Sequence, residues 1–69
     1  MSYYIINKNK DNHGYNEVHK DHCVRLPEVQ NRVSLGHFSS DGQAVAYARN
    51  NGYPNADGCY YCCSSAHRG

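Results

Sequence analysis

The chain has 69 residues, of which 39% are hydrophobic, with one Phe and no Trp, so its core is small and a metal, cross-link or partner chain is expected to support it. The chain has seven Lys and Arg residues and six Asp and Glu residues, so its formal net charge is +1. This charge does not support binding to nucleic acid or to an anionic membrane through bulk electrostatic attraction. Because no apolar run could span a bilayer and residues 1–10 lack a secretory-signal pattern, we expect a soluble, cytoplasmic protein.

Two strands joined by a hairpin loop are expected at the start of the chain. Residues 3–7 are β-branched or aromatic apart from a final Asn, and residues 8–14 are rich in the turn formers Asn, Asp and Gly. Residues 15–19 alternate large and polar side chains, which predicts a second strand. Its register stays open, because Val18 and His19 compete for the inner face.

A third strand and one helix follow. Pro27 interrupts the chain after the first cysteine, so the third strand is placed at residues 32–38. Ser40 is followed three positions later by Gln43, a capping box, and an Ala-rich stretch then ends at Asn-Asn-Gly. These signals predict a helix over residues 41–50 with a narrow apolar stripe of small side chains.

The last part of the chain is predicted to hold a loop and a short final helix. Residues 53–58 contain Pro, Asn and Gly and are typical of a loop. Residues 59–67 are expected to form a short C-terminal helix whose first turn carries cysteines. The sequence therefore predicts a single α+β domain over residues 1–69, with a small antiparallel sheet of two to three strands packed against one helix.

The cysteines and histidines include two closely spaced pairs, His19-x3-Cys23 and Cys59-x2-Cys62. In a reducing compartment, metal binding is favoured over a disulfide framework. Zinc prefers four soft or borderline ligands in a tetrahedron, and two close pairs on separate elements can supply them. We therefore expect a structural zinc site formed by His19, Cys23, Cys59 and Cys62.

Cys63 and His67 provide alternative ligands. At positions i and i+4 they would face the same way on a helix, and either could replace His19 or Cys62 in the set. Adjacent Cys62 and Cys63 would point in different directions on a helix, so only one of them is expected to bind the metal. The spacing alone leaves this choice open.

Several features follow one another in a fixed order from His19 to the C-terminal cysteines. They are His19-x3-Cys23, Leu35-Gly36-His37-Phe38-Ser39-Ser40 before the Ala-rich helix, Gly52-Tyr53 and Cys59-x2-Cys62. In this order they resemble the zinc-binding Ada domain family, a DNA-methylphosphotriester repair module with short relatives attached to bacterial nucleases. The resemblance implies an Ada-like zinc portion over residues 19–69, preceded by an N-terminal hairpin at residues 1–18.

The resemblance to the Ada family does not extend to its activity. In the repair module all four ligands are cysteine, and the first of them accepts the methyl group. His19 stands at that position here, so the resemblance implies the zinc fold without the nucleophile. The whole chain also resembles short bacterial proteins that share its Asn-Lys-Asn, Glu-Val-His, Leu-Pro and Gly-Cys-x2-Cys pieces, a similarity that implies no mechanism.

We expect a small non-catalytic zinc module that presents a surface to a protein or nucleic-acid partner, with no enzyme activity and no membrane partner. Tyrosine and arginine side chains can stack on bases or contact phosphates, and the candidates are Tyr3, Tyr4, Tyr60, Tyr61, Arg25, Arg32, Arg49 and Arg68. One alternative is redox or alkyl-accepting chemistry at Cys59 and Cys62, whose thiols zinc would activate. Another is a metal-free α+β interaction protein, which could act as a homodimer.

Overall fold

The computed structural model, which describes residues 1–69, contains four strands, one α-helix and two single 3-10 turns. The strands and the helix are β1 (Ser2–Asn7), β2 (Asn16–Lys20), β3 (Arg32–Phe38), α1 (Asp41–Asn50) and β4 (Ala56–Gly58). The chain is therefore α+β, as predicted. Strands β1 to β3 lie within one residue of the predicted bounds, and α1 has the predicted bounds.

The sheet has the strand order β3-β1-β2-β4. Strand β1 pairs antiparallel with β2 and β3, so the N-terminal hairpin supplies the centre of the sheet. The β1–β3 register shifts where Tyr4 faces Gly36 and Ile5 faces Ser34, which leaves Leu35 as the extra residue of a β-bulge. Gly36 adopts a φ of 105°, a conformation that glycine reaches without the steric cost borne by other residues.

Helix α1 begins at a capped end. The Ser40 Oγ atom accepts a hydrogen bond from the Gln43 backbone N–H at 3.2 Å, and the Gln43 Oε1 atom accepts one from the Ser39 N–H at 3.1 Å. The first bond satisfies an N–H group that a helix start otherwise leaves unpaired, and the second ties the residue before the cap to the first turn. The structure contains no helix long and apolar enough to span a bilayer.

The core between α1 and the sheet is built mainly from small side chains. Its buried members are Tyr4, Ile6, Val18, Ala44, Val45, Ala48, Ala56 and Cys63. Three of them are alanines, which let α1 lie close to the sheet but contribute little apolar area each. Tyr4 is the one buried aromatic residue, and its hydroxyl donates to Asp41 Oδ1 at the start of α1 at 2.5 Å.

The prediction of two to three antiparallel strands misses β4, which lies within residues 53–58 that were expected to form a loop. Strand β4 pairs in parallel with β2. Hydrogen bonds from Asn16 N to Asn55 O at 3.2 Å and from Cys59 N to Val18 O at 2.9 Å continue the ladder at both ends. The sequence Ala-Asp-Gly has no strand propensity, so this strand forms only because β2 lies beside it.

The prediction of a C-terminal helix over residues 59–67 is wrong. The chain instead makes a turn closed by a hydrogen bond from Cys63 N to Cys59 O at 2.9 Å, and then one 3-10 turn at Ser64–Ala66. The buried Asp57 carboxylate accepts the backbone N–H groups of Arg68 and Gly69. These hydrogen bonds hold the segment in place without a helix. A helix here would have needed an apolar stripe to pack against the rest of the protein.

Candidate metal centre

Four side chains from two distant segments come together at one place. One ligand atom from each of His19, Cys23, Cys59 and Cys62 lies within 4.8 Å of the other three, and the Sγ atoms of Cys23 and Cys59 are 3.9 Å apart. A tetrahedral zinc site with Zn–S bonds of about 2.3 Å places its sulfurs roughly 3.8 Å apart. The cluster therefore has the residue types and the size that a metal ion such as zinc requires.

Strand β2 and the turn after it position the first pair of this cluster. Successive side chains of a strand face opposite sides, so Val18 enters the core beneath α1 while His19 faces away from it. Both residues are buried, but only Val18 belongs to the core. The register that the alternation left open therefore places Val18 on the inner face. A hydrogen bond from Cys23 N to Lys20 O at 3.1 Å closes a turn that returns Cys23 towards His19.

The end of β4 positions the second pair. Cys59 follows the last residue of β4 and is tied to β2 by the bond from its N–H to Val18 O. The turn from Cys59 to Cys63 then returns Cys62 to the cluster. His19 and Cys59 are each 1% exposed, and Cys62 is half-buried, so the parallel β2–β4 pairing joins the two halves of a largely buried site.

The imidazole of His19 has one ring nitrogen available to a metal. Its Nδ1 atom is buried and has no hydrogen-bond partner, whereas Nε2 lies 3.6 Å from Glu17 Oε1. An unsatisfied buried polar atom costs about 1–3 kcal/mol, so such atoms are rare in folded proteins. A metal at Nδ1 would satisfy this atom, and a carboxylate behind the other ring nitrogen is the usual partner of a ligating histidine.

Two backbone N–H groups point at ligand sulfurs. Lys20 N donates to Cys62 Sγ and Arg25 N donates to Cys23 Sγ, both at 3.3 Å. Hydrogen bonds to a thiolate stabilise its negative charge. The turns that carry the ligands thus also orient and stabilise the ligand atoms.

Burial favours the neutral forms of His19 and of the Cys62 and Cys63 thiols. Burial lowers the pKa of His19, which keeps a lone pair available for a metal at neutral pH. Burial also raises the pKa values of the Cys62 and Cys63 thiols. A thiolate at these positions would therefore require a compensating cation. Burial also raises the pKa of the Glu17 carboxyl.

Cys63 and His67, the two alternative ligands, are not among the four residues of the cluster. Cys63 is fully buried in the core beneath α1, with its Sγ atom 3.6 Å from Cys62 Sγ. His67 Nδ1 lies 2.9 Å from Gly58 O and 3.3 Å from an oxygen of Asp57. His67 therefore holds the C-terminal segment against β4, and Cys63 contributes to packing.

The aromatic and basic residues proposed for partner binding do not form one surface. Tyr4 is buried, and Arg32 and Arg49 donate through Nε to backbone carbonyls. In contrast, Tyr60 and Tyr61 are 63% and 60% exposed, and the Arg25 guanidinium lies 4.0 Å from the Tyr61 ring centroid. Val24, which precedes Arg25 in the chain, is 91% exposed. We term these four residues (Val24, Arg25, Tyr60 and Tyr61), which lie on the turns that carry the cysteines, the tyrosine surface.

Sequence reasoning assigned no role to Glu17 as the partner of His19. The signal was present, because residues two apart on a strand share a face and Glu17 precedes His19 by two positions in β2. Sequence reasoning also assigned no role to Asp57. No local sequence pattern identifies a carboxylate that accepts hydrogen bonds from the backbone N–H groups of residues 68 and 69.

No family model, curated protein or solved structure matches the chain. The resemblance to the Ada domain family therefore stays a prediction.

Proposed function

We propose that this protein is a small, non-catalytic module that is stabilised by one zinc ion and presents the tyrosine surface to a macromolecular partner. The observation that carries the proposal is the meeting of four zinc-type ligand atoms within 4.8 Å, with the buried Nδ1 atom of His19 left unpaired. Three thiolates and one imidazole are a ligand set typical of structural zinc. His19, Cys23, Cys59 and Cys62 would hold the ion.

A structural role is favoured over a catalytic one because the four protein ligands would fill a tetrahedral zinc ion. Catalytic zinc keeps a position open for water or substrate and needs a nearby general base. Glu17 lies 3.6 Å from Nε2 of His19, where it would orient the imidazole rather than act as a general base. Zinc here would supply folding free energy by joining β2 and the turn after it to the segment after β4.

Metal analysis tests this proposal directly. Protein purified under reducing conditions is expected to contain one zinc per chain, and its thiols should react fully only after the metal is removed. Chelation should abolish the far-UV circular dichroism signal of the folded state, because structural zinc contributes about 10–16 kcal/mol in small metal-dependent domains, as much as the whole stability of a domain of this size.

Matched variants separate the site from its surroundings. His19→Gln should lose the metal, whereas His22→Gln, at an exposed histidine of the neighbouring turn, should keep it. Protein without metal, whose four thiols react freely while the fold persists, would contradict the zinc proposal.

A further inference from the structure

The two turns that carry the ligands expose large side chains that folding does not account for. Tyr60 and Tyr61 lie between Cys59 and Cys62, and Val24 and Arg25 follow Cys23. None of these four residues belongs to the core beneath α1. A single exposed apolar residue is ordinary in a soluble protein, but two exposed rings that contact each other and a cation indicate a binding surface.

The rings of the tyrosine surface are held in a fixed arrangement. The Tyr60 and Tyr61 centroids are 5.3 Å apart at an interplanar angle of 87°, and the Tyr60 ring also meets His67 at 5.5 Å and 74°. The cysteines that flank both rings are anchored in the cluster. Little side-chain entropy would therefore be lost when a ligand stacks on these rings.

The charge of Arg25 is available to an anion. Its guanidinium makes no salt bridge in the structure and instead stacks on Tyr61. Lys20, the nearest lysine along the chain, is already paired with Asp41 at 3.8 Å. The tyrosine surface thus combines two aromatic rings with one unpaired planar cation, a combination that suits a ligand with flat rings and negative charges.

We propose that the tyrosine surface binds single-stranded nucleic acid, with unpaired bases stacking on Tyr60 and on the face of Tyr61 opposite Arg25, and with a phosphate contacting Arg25. This inference rests on the proposed function, because the metal fixes the two turns. Single strands offer flat bases and phosphates together, whereas the bases of a duplex are already stacked. A second copy of the chain fits less well, because the four residues of its own tyrosine surface include no acidic side chain to pair with Arg25.

The predicted binding is weakly dependent on salt. With one or two phosphate contacts, the slope of log affinity against log salt should be roughly −0.7 to −1.4. This agrees with the formal net charge of only +1. Removal of each ring should weaken binding roughly tenfold, because stacking on an aromatic side chain is the main sequence-tolerant term for single strands.

Fluorescence anisotropy with a labelled 12-nucleotide RNA of mixed sequence, at about 50 mM salt, where weak phosphate contacts persist, tests the inference. The wild-type protein should bind, the Tyr60→Ala/Tyr61→Ala double variant should lose about 100-fold in affinity, and Tyr60→Phe/Tyr61→Phe should retain most of it. Tyr47→Ala serves as the matched control, because Tyr47 is also exposed but lies on α1 against Phe38. The same RNA annealed to its complement should compete poorly.

Zinc content and melting temperature of each variant keep the two proposals distinguishable. Variants that retain one zinc and the wild-type melting temperature but lose RNA binding support the inference. Absence of RNA binding, or binding that the double alanine variant leaves unchanged, would overturn the inference while leaving the zinc proposal intact. A dimer in sedimentation that the double alanine variant abolishes would also overturn it and assign the surface to a second copy of the chain.

Discussion

The core beneath α1 and the Cys/His cluster stabilise the same small sheet by different means. The core is a group of small apolar side chains that come mostly from regular elements, with Ala44, Val45 and Ala48 from one helix face. The cluster contains one ligand in β2 and three on the turns that follow β2 and β4. The first depends on local patterns and on the hydrophobic effect, and the second depends on a cross-link between residues far apart in the chain.

This difference explains why the segment after β4 has so little regular structure. Residues 59–69 contain one 3-10 turn and no strand or α-helix. They are held by two cysteines at the cluster, by Cys63 in the core and by amide bonds to Asp57. A chain that cannot bury enough apolar surface can still be ordered by a few strong anchors.

Among substitutions outside the ligand set, the largest effect is expected from Gly58→Ala, at the junction between β4 and the ligand turn. A Cβ atom there would lie 2.6 Å from Cys63 O and 2.9 Å from the carbonyl carbon of Ala66, both backbone atoms that cannot move independently. We expect a loss of about 3 kcal/mol or more in the free energy of unfolding, measured by denaturant titration of the zinc-loaded protein.

Gly42→Ala is the matched control for that substitution. In α1, the nearest atom to an added Cβ is Ser40 Oγ at 4.0 Å. Alanine should leave stability unchanged or raise it by up to about 1 kcal/mol, because it has the higher helix propensity. Equal effects of the two substitutions would contradict the close contact at Gly58.

The next largest effect is expected from Asp57→Asn. The buried carboxylate accepts the Arg68 N–H at 3.0 Å and the Gly69 N–H at 3.0 Å, and asparagine would turn a donor group towards one of them. Hydrogen bonds to a charged group contribute about 1.5–3 kcal/mol, so we expect a loss of about 2 kcal/mol in the free energy of unfolding. Hydrogen exchange should show faster exchange of the amides of residues 68 and 69.

The exposed Asp21 provides the control, since Asp21→Asn should change neither stability nor exchange in this segment. Because Asp57 lies outside the cluster, its variant should keep one zinc per chain. Loss of the metal in Asp57→Asn would show that the hydrogen bonds to Asp57 and the metal site do not stabilise the C-terminal segment independently.

A smaller effect is expected from Glu17→Gln, which keeps the size of the side chain but removes its charge. The carboxylate lies 3.6 Å from Nε2 of His19, where it would orient the ring and increase its basicity. Loss of such a partner typically weakens metal binding by about 10- to 100-fold. Competition with a zinc-binding dye measures this change, and Glu28→Gln, at an exposed site, is the control. Unchanged affinity would remove Glu17 from the site.

The smallest effect is expected from Cys63→Ala. Cys63 is fully buried in the core, so the loss of its sulfur should lower the free energy of unfolding by about 1 kcal/mol. The metal stoichiometry and the thiolate-to-cobalt absorption of the Co²⁺-substituted protein should match those of the wild type, whereas Cys62→Ala should reduce that absorption. The reverse result would make Cys63 the ligand in place of Cys62.

Local patterns in the sequence determined the elements whose stability is itself local. The capping box and the Asn-Asn-Gly stop predicted α1 over residues 41–50, and the β-branched and aromatic run predicted β1. The spacing of the two Cys/His pairs also grouped the four side chains that the structure brings together. Spacing is informative here because close pairs limit which side chains can converge on one ion.

Only the tertiary structure decided the features that depend on neighbours distant in the chain. Strand β4 forms because β2 offers a parallel partner. Residues 59–67 do not form a helix because Asp57, the core and the cluster each hold part of the segment. The choice of Cys62 over Cys63 for the cluster follows from the direction in which one turn leaves β4. Such contacts leave no periodic signal in the sequence, since each one depends on a long-range approach of the backbone.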